Sequence, residues 1–384
     1  MVGAGLGVKA GLSLRAGATV GLPRALLFYE LYPYWKVLLE GLGLRPAVSG
    51  PTTREVVEGG CRHAVDEACL PVKAFYGHVV SLVGKVDALF LPRVVSVRPG
   101  TYTCPKLLGL PDMVRHNVRG LPRLVVADFD ATRPGRGLAA AGERLARSLG
   151  AARGAARRLV DRALQALGRY REALTLAGGV GFEEASRLAL SGAGAAAPHP
   201  PRPPAPGAGP GDAVPGWAGE AGWRAGPRVA VVGHAYNLFD PGANLGLLRR
   251  LAALGCRVIT SESLTEAEVQ AESVLLSKEI FWSTGRRVLA AVTRFTRERL
   301  VEGIVHVVSF GCGPDSMVGE IAEREVRRCS DLPYMVLTMD EHSGEAGLQT
   351  RLEAFVDMVG RRGRSSELGG HEGGGSRTGS VTGG

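Results

Sequence analysis

The strongest constraint on this chain is an alternation that occurs twice: short apolar runs trade places with stretches of helical periodicity. From Ala18 the runs ATVGL, RPAVS, DALFLP and LPRLVVADF read as strands, and CRHAV weakly so. Between them ALLFYELYPYWKVLLEGLG, TREVVEGG, PVKAFYGHVVSLVG and a broken PKLLGLPDMVRH carry helical spacing. Strands separated by crossover helices run parallel, so the pattern specifies βαβ units and a mostly parallel sheet. The rhythm resumes at RVAVVG, with strands RVITS, GIVHVVSF and YMVLTM. Helices around NLGLLRRLAALG, TEAEVQAESVLL and GRRVLAAVTRFTRERL, after Pro314, and at AGLQTRLEAFVDMVG complete a second α/β unit. No internal sequence repeat accompanies this likeness of the halves.

Between the halves the composition changes. The segment from Gly137 is rich in Ala and Arg at helical spacing, and FEEASRLAL adds a further helix. SGAGAAAPHPPRPPAPGAGPGDAVPGWAGEAG is dominated by Pro, Gly and Ala, which cannot bury enough apolar surface to order a chain. The expected layout is a disordered N-terminus over 1–17, a first α/β domain over 18–135 and a helical insert over 136–190. A linker over 191–226, a second α/β domain over 227–360 and a disordered Gly/Ser/Arg-rich tail over 361–384 follow.

The net charge of +9 raises nucleic acid as a partner, but the basic residues are dispersed and lack aromatic interleaving, so none is expected. No window approaches the roughly 18 apolar residues of a membrane span, and the N-terminal stretch lacks a continuous apolar core for a signal peptide. The chain is expected in the cytoplasm, with no membrane partner. Its six cysteines include no CxxC pair, which excludes zinc ribbons and thioredoxin-like motifs by spacing.

Three of these cysteines sit alike. Cys69 precedes Leu70-Pro71, Cys104 precedes Pro105, and Cys312 precedes Gly313-Pro314, each before a predicted helix. Proline is tolerated in a first helical turn because its missing N–H had no intrahelical partner. Each thiol therefore falls at a helix N-terminus, where free amides and the dipole favour a thiolate, the form that ligates iron. Cys61, Cys256 and Cys329 lack this setting and read as incidental thiols. Position alone does not separate one shared site from three unrelated turns.

The segments GLPRALLFYELYPYW, AVDEACLPVKAFYGHV, LFLPRVVSVRPGTYTCPKLLGLPDMV, VVGHAYNLFDP, FGCGPDSM and MDEHSGEAGLQTRLEAFVDM resemble the acyl-CoA dehydratase activase-related proteins. These are relatives of the 2-hydroxyacyl-CoA dehydratase subunits. The likeness runs from about Val20 to Val359, skipping the insert and linker. It implies two Rossmann-like domains with mostly parallel sheets facing across a cleft. It also implies an iron–sulfur cluster there, of [4Fe–4S] type or of higher nuclearity. The family's cysteine-bearing strings match at Cys69, Cys104 and Cys312, leaving one iron open. A single low-potential electron, delivered by an ATP-dependent actin-like activator protein, would then act on a 2-hydroxyacyl thioester. The chain shows no Walker A motif, no actin-like phosphate loop and no evident CoA determinant. Two roles therefore remain open: a lyase or electron-transfer component acting on an acyl-CoA, and a non-catalytic binding or assembly partner of the activator, in a homo- or hetero-oligomer. A thiol enzyme using Cys312 as nucleophile is a third.

Other residues carry two readings each. Asp340, Glu341 and Glu345, beside His342, are candidate proton donors or partner contacts, or acids that favour a helix N-terminus. His234, with Asn237, is a candidate cleft residue or a satisfied loop histidine. Glu67 is a candidate to hydrogen-bond near the cysteines, or to pair with Lys73 on the surface. Arg24 and Arg93 are candidate anion binders or solvated loop residues. The aromatic run Phe28, Tyr29, Tyr32, Tyr34 and Trp35 has the spacing of core.

Overall fold

In the computed structural model, which describes residues 14–176, 181–191, 226–276 and 279–369, every strand ladder is parallel. The first half runs β1 (Thr19–Leu22), α1 (Phe28–Gly41), β2 (Arg45–Val48), α2 (Arg54–Cys61), α3 (Leu70–Leu82), β3 (Ala88–Phe90), β4 (Arg93–Ser96), α4 (Pro105–Asn117), β5 (Arg123–Val125) and β6 (Asp128–Asp130). Three helices follow: α5 (Leu138–Ser148), α6 (Arg153–Leu176) and α7 (Phe182–Leu190). The second half runs β7 (Arg228–Gly233), α8 (Ala235–Phe239), α9 (Leu247–Ala253), β8 (Arg257–Thr260), α10 (Glu266–Val274), α11 (Ser283–Arg297), β9 (Gly303–Ser309), α12 (Gly313–Cys329), β10 (Tyr334–Met339) and α13 (Glu345–Gly369). The linker expected over 191–226 lies almost wholly outside the described residues, as do 1–13 and 370–384.

The two halves wind the same way. One four-stranded sheet has the order β2-β1-β3-β5 and the other β8-β7-β9-β10, so each starts in the middle and grows outward on both sides, while β4 and β6 form a separate two-stranded sheet. The central strands are apolar almost without a break because helices cover both faces of a parallel sheet. Val20, Val229, Val231, Ile304 and Val305 are fully buried.

Four local expectations are corrected. CRHAV is no strand: α2 ends at Cys61, and Ala64 still donates its N–H to Gly60 O at 2.8 Å. The glycines that look like a break serve a close helix crossing. A Cβ on Gly60 would stand 1.8 Å from Lys73 O, and one on Gly77 would stand 1.8 Å from Val56 O. LPRLVVADF divides into β5 and β6. Its partner stretch gains β4, hidden in the sequence by Pro92, which argues against a strand when read alone. The helix α4 continues through Pro111 because Leu107, Leu110, Pro111 and Val114 bury one face together. Finally, α13 runs past Arg361, the expected start of the tail, to Gly369. Arg, Glu and Leu in that stretch are good helix formers.

The helical insert packs on α1. Tyr170 donates its hydroxyl to Tyr29 O at 2.6 Å, and Phe182 sits among Phe28, Tyr29, Tyr32 and Tyr170. The aromatic run is therefore core, as its spacing implies.

A buried polar chain ties the halves together. His78, fully buried on α3, has Ser49 Oγ at 3.0 Å from Nδ1 and Thr52 Oγ1 at 2.9 Å from Nε2. Thr52 donates onward to Asp240 Oδ2 at 2.6 Å. Burial depresses the His78 pKa to about 4, from an ordinary 6.5. The unfolded chain therefore takes up a proton that the folded chain refuses, so the stability from neutral His78 is complete above pH 6.5 and is lost as pH falls towards 4. His78→Gln keeps hydrogen-bonding capacity without the titration. Urea unfolding of metal-free protein should lose about 2 kcal/mol less between pH 7 and pH 5 in this variant than in the wild type. An identical pH dependence in both would contradict the assignment.

Candidate functional site

Crossover helices in parallel units begin at the carboxyl ends of strands, and the crevice opens where the winding reverses. In the second sheet that point lies between β7 and β9, since β8 lies on one side and β10 on the other. His234 follows the last residue of β7, and Cys312 follows the end of β9 by three residues. In the first half, α3 and α4 lead into β3 and β5, so their N-termini lie at the same kind of edge. Cys69, Cys104 and Cys312 are the N-cap residues of α3, α4 and α12, and none caps its helix with a side-chain hydrogen bond.

Three loops meet there. Gly311 has φ +73°, a left-handed conformation that glycine adopts without strain, and a Cβ on it would lie 3.5 Å from Glu67 O. Lys106, in the first turn of α4, donates to Glu67 O at 2.9 Å and to Gly311 O at 3.3 Å. One ammonium thus joins the loop of Cys69 and the loop of Cys312 to the helix that starts at Cys104. The thiols are near enough that a charge on Cys104 opposes ionisation of Cys69, and one on Cys69 opposes ionisation of Cys312.

Burial outweighs the helix ends. It pushes the Cys69 thiol above its ordinary range, only partly offset by Lys106. Burial pushes Cys312 far higher, aided by Asp315. The expectation of ready thiolates is corrected for these two: without a cation in the site they rest as thiols.

Beside Cys312 lies a buried acid–base pair. His234 Nε2 stands 2.9 Å from Asp315 Oδ1, each side chain being 2% exposed. Burial pulls the His234 pKa down, but Asp315 wins and holds it above its ordinary value; His234 in turn keeps the buried Asp315 low. The pair is close but misaligned, since His234 Nε2 and both Asp315 oxygens are sealed from solvent without a directed hydrogen bond among the described residues. The hydroxyl of Tyr236 closes on His234 Nδ1. Among the described residues one set of donors falls within 4.8 Å of one another: His234, Cys312 and Asp315. Thiol, imidazole and carboxylate with orphaned lone pairs suit a transition metal. Among the described residues the three thiols do not form such a set.

Several apolar side chains near the cysteines are exposed, among charged neighbours such as Asp66 and Glu67. Val65, Tyr102, Leu108, Phe310 and Met317 are exposed, each within five residues of one of the three cysteines. Phe281 joins them through the hydrogen bond from Tyr102 N to Phe281 O.

Of the sequence candidates, the structure gathers Cys69, Cys104, Cys312 and His234. Glu67 projects an exposed side chain, and its main-chain carbonyl is what the site uses. Its suggested partner Lys73 is buried and pairs instead with Glu341 at 2.5 Å. Burial raises the Glu341 pKa, but Lys73 holds it below its ordinary value, a committed carboxylate and no proton donor. Asp340 ties up its own turn with His342 N and Ser343 Oγ, and Glu345 pairs with Arg250 in the first turn of α13. Of these acids only Glu345 lies in a first helical turn. Arg93 is held by Asp112 and Asp128, and Arg24 by Glu183. Asp315, Lys106 and Tyr236 were missed, although Asp315 stands in the string FGCGPDSM.

A fold of two like-wound parallel sheets with thiols and an imidazole at the reversal point defines an α/β protein with a candidate metal centre. The chain belongs to the CoA enzyme activase family, whose uncharacterised-domain model matches residues 19–264. That match takes in Cys69, Cys104 and His234, while Cys312 and Asp315 come from beyond it. No curated protein matches the chain. Among the described residues no helix is long and apolar enough to cross a membrane.

The thiol chemistry yields a direct check. In metal-free protein, alkylation of Cys312 should still be accelerating at a pH well above the ordinary thiol value of 9.0. A rate that levels off near neutral pH, followed by peptide mass spectrometry, would instead mark an activated nucleophile.

Proposed function

We propose that this protein is an iron–sulfur component of a CoA enzyme system, holding a [4Fe–4S]-type cluster through Cys69, Cys104 and Cys312. The observation that carries the reading is the meeting of three helix-start cysteines, from loops far apart in sequence, around one lysine and one buried His–Asp pair. Such a cluster would supply a low-potential electron and one iron open to a ligand. The protein's own part is to bind, to exclude water and to balance charge. The thiols lose their protons on loading, so assembly is expected to release protons. Lys106 would offset the thiolate charge, and the His234–Asp315 pair beside Cys312 would hold a proton near the cluster.

The exposed apolar side chains near the cysteines support a docking partner. Phe310 and Met317, 68% and 57% exposed, suit transient contact with a protein electron donor of the ATP-dependent activator type. Turnover of an acyl-CoA would make the chain a dehydratase-like lyase; docking without turnover would make it an accessory.

A second reading has its own observation. The tight set His234, Cys312 and Asp315 is sized for one ion. Anaerobic loading with iron and sulfide separates the two. The cluster reading predicts about four irons per chain and loss of iron in each of Cys69→Ala, Cys104→Ala and Cys312→Ala. The single-ion reading predicts one metal, unaffected by Cys69→Ala or Cys104→Ala and lost in Asp315→Asn. Iron-free protein after loading would reject the cluster.

A further inference from the structure

A cavity of about 240 Å³ lies between α1, α6, the start of α10 and α11, away from the three thiols. The insert helix α6 supplies one wall, Leu174 and Leu264 give apolar cover, and Tyr170 closes one side. Its polar lining is charged in an unusual way. Arg98 and Arg287 both donate to the same Glu266 carboxylate oxygen, and Arg287 also donates to Leu264 O at 2.7 Å. The Arg98 guanidinium has no other hydrogen-bond partner among the described residues. Burial lowers its pKa, and the charges of Arg287 and then Arg171 add to this against the pull of Glu266. On the acid side Glu30 Oε1 is sealed from solvent without a hydrogen bond among the described residues. Burial and the neighbouring Glu262 both push the Glu30 carboxyl towards its neutral form, against Arg98 and Arg287.

We propose that this cavity binds a small zwitterion of the amino-acid class, its carboxylate taken by Arg98 and Arg171 and its ammonium by Glu30 and Glu262. A crowded set of guanidinium groups gains from an anion, and a crowded pair of carboxylates gains from a hydrogen-bond donor with positive charge. Arg287 already pairs with Glu262 at 3.7 Å, so the two sets are coupled, and a ligand with one head would upset their balance on one side. A ligand with both heads relieves the two together within a space of about eight water volumes. The proposal stands apart from the cluster reading, because its residues include none of the thiols.

The test uses metal-free full-length protein, so its outcome is independent of cluster assembly. Calorimetric titration and ligand-observed NMR would be run with the standard amino acids, alongside matched one-headed probes: propionate and ethylamine for alanine, glutarate for glutamate. At least one amino acid should bind, with its one-headed counterparts weaker by about tenfold or more. Glu30→Gln and Arg98→Met should each weaken that binding by about tenfold or more. Thr175→Trp fills the cavity from α6 and leaves every charged group in place; it should abolish binding and carries the test if either charge variant fails to fold. No binding by any amino acid at about 10 mM would overturn the proposal. So would equal binding of the one-headed probes, or unchanged affinity in Thr175→Trp.

Discussion

Two main-chain carbonyls, Glu67 O and Gly311 O, share the ammonium of Lys106, and the candidate site depends on that sharing. The loop before α3 belongs to one parallel sheet and the loop before α12 to the other. Neither loop has a reason of its own to approach the other. Gly311 allows the approach, because any larger residue in its left-handed conformation would be strained. Lys106 then supplies a donor to carbonyls that the turn leaves without strand partners. It also places positive charge where thiolates would repel one another. The same contact is thus structural in an empty site and electrostatic in a loaded one.

The helix ends and the burial of the thiols pull in opposite directions, and burial prevails for Cys69 and Cys312. Thiols held in this way resist ionisation, so the proposed cluster would have to displace their protons as it binds. The misaligned His234–Asp315 pair stands beside Cys312. Two buried groups that stand this close without a directed hydrogen bond are held there by the surrounding fold, and the carboxylate keeps lone pairs in reserve. Membership of the CoA enzyme activase family agrees with involvement in a CoA enzyme system.

Much of this was legible in the sequence. Apolar runs between helical stretches fixed the parallel sheets, and prolines after Cys69, Cys104 and Cys312 marked three helix starts. What escaped did so for local reasons. Pro92 hid β4, and the glycines of α2 looked like a helix end when they were a crossing point. The role of Lys106 rests on carbonyls 39 and 205 positions away, which no local pattern encodes. Asp315 passed as an ordinary acid in a first helical turn, because its pairing with His234 exists only once β7 and β9 lie side by side. Glu341, and not Glu67, pairs with Lys73 for a similar reason: Lys73 faces inward on α3 and meets the second half of the chain.

The central claim is that three thiols distant in sequence share one crevice, and it can be measured without any metal. In a variant with Cys61, Cys256 and Cys329 replaced by Ser, a short fluorogenic reagent with two thiol-reactive arms is added to folded protein, and the bridged peptides are read by mass spectrometry. The account predicts bridges from Cys69 to Cys104 and from Cys69 to Cys312, lost on unfolding in urea. Adducts carrying one arm only, on separate peptides, would contradict it.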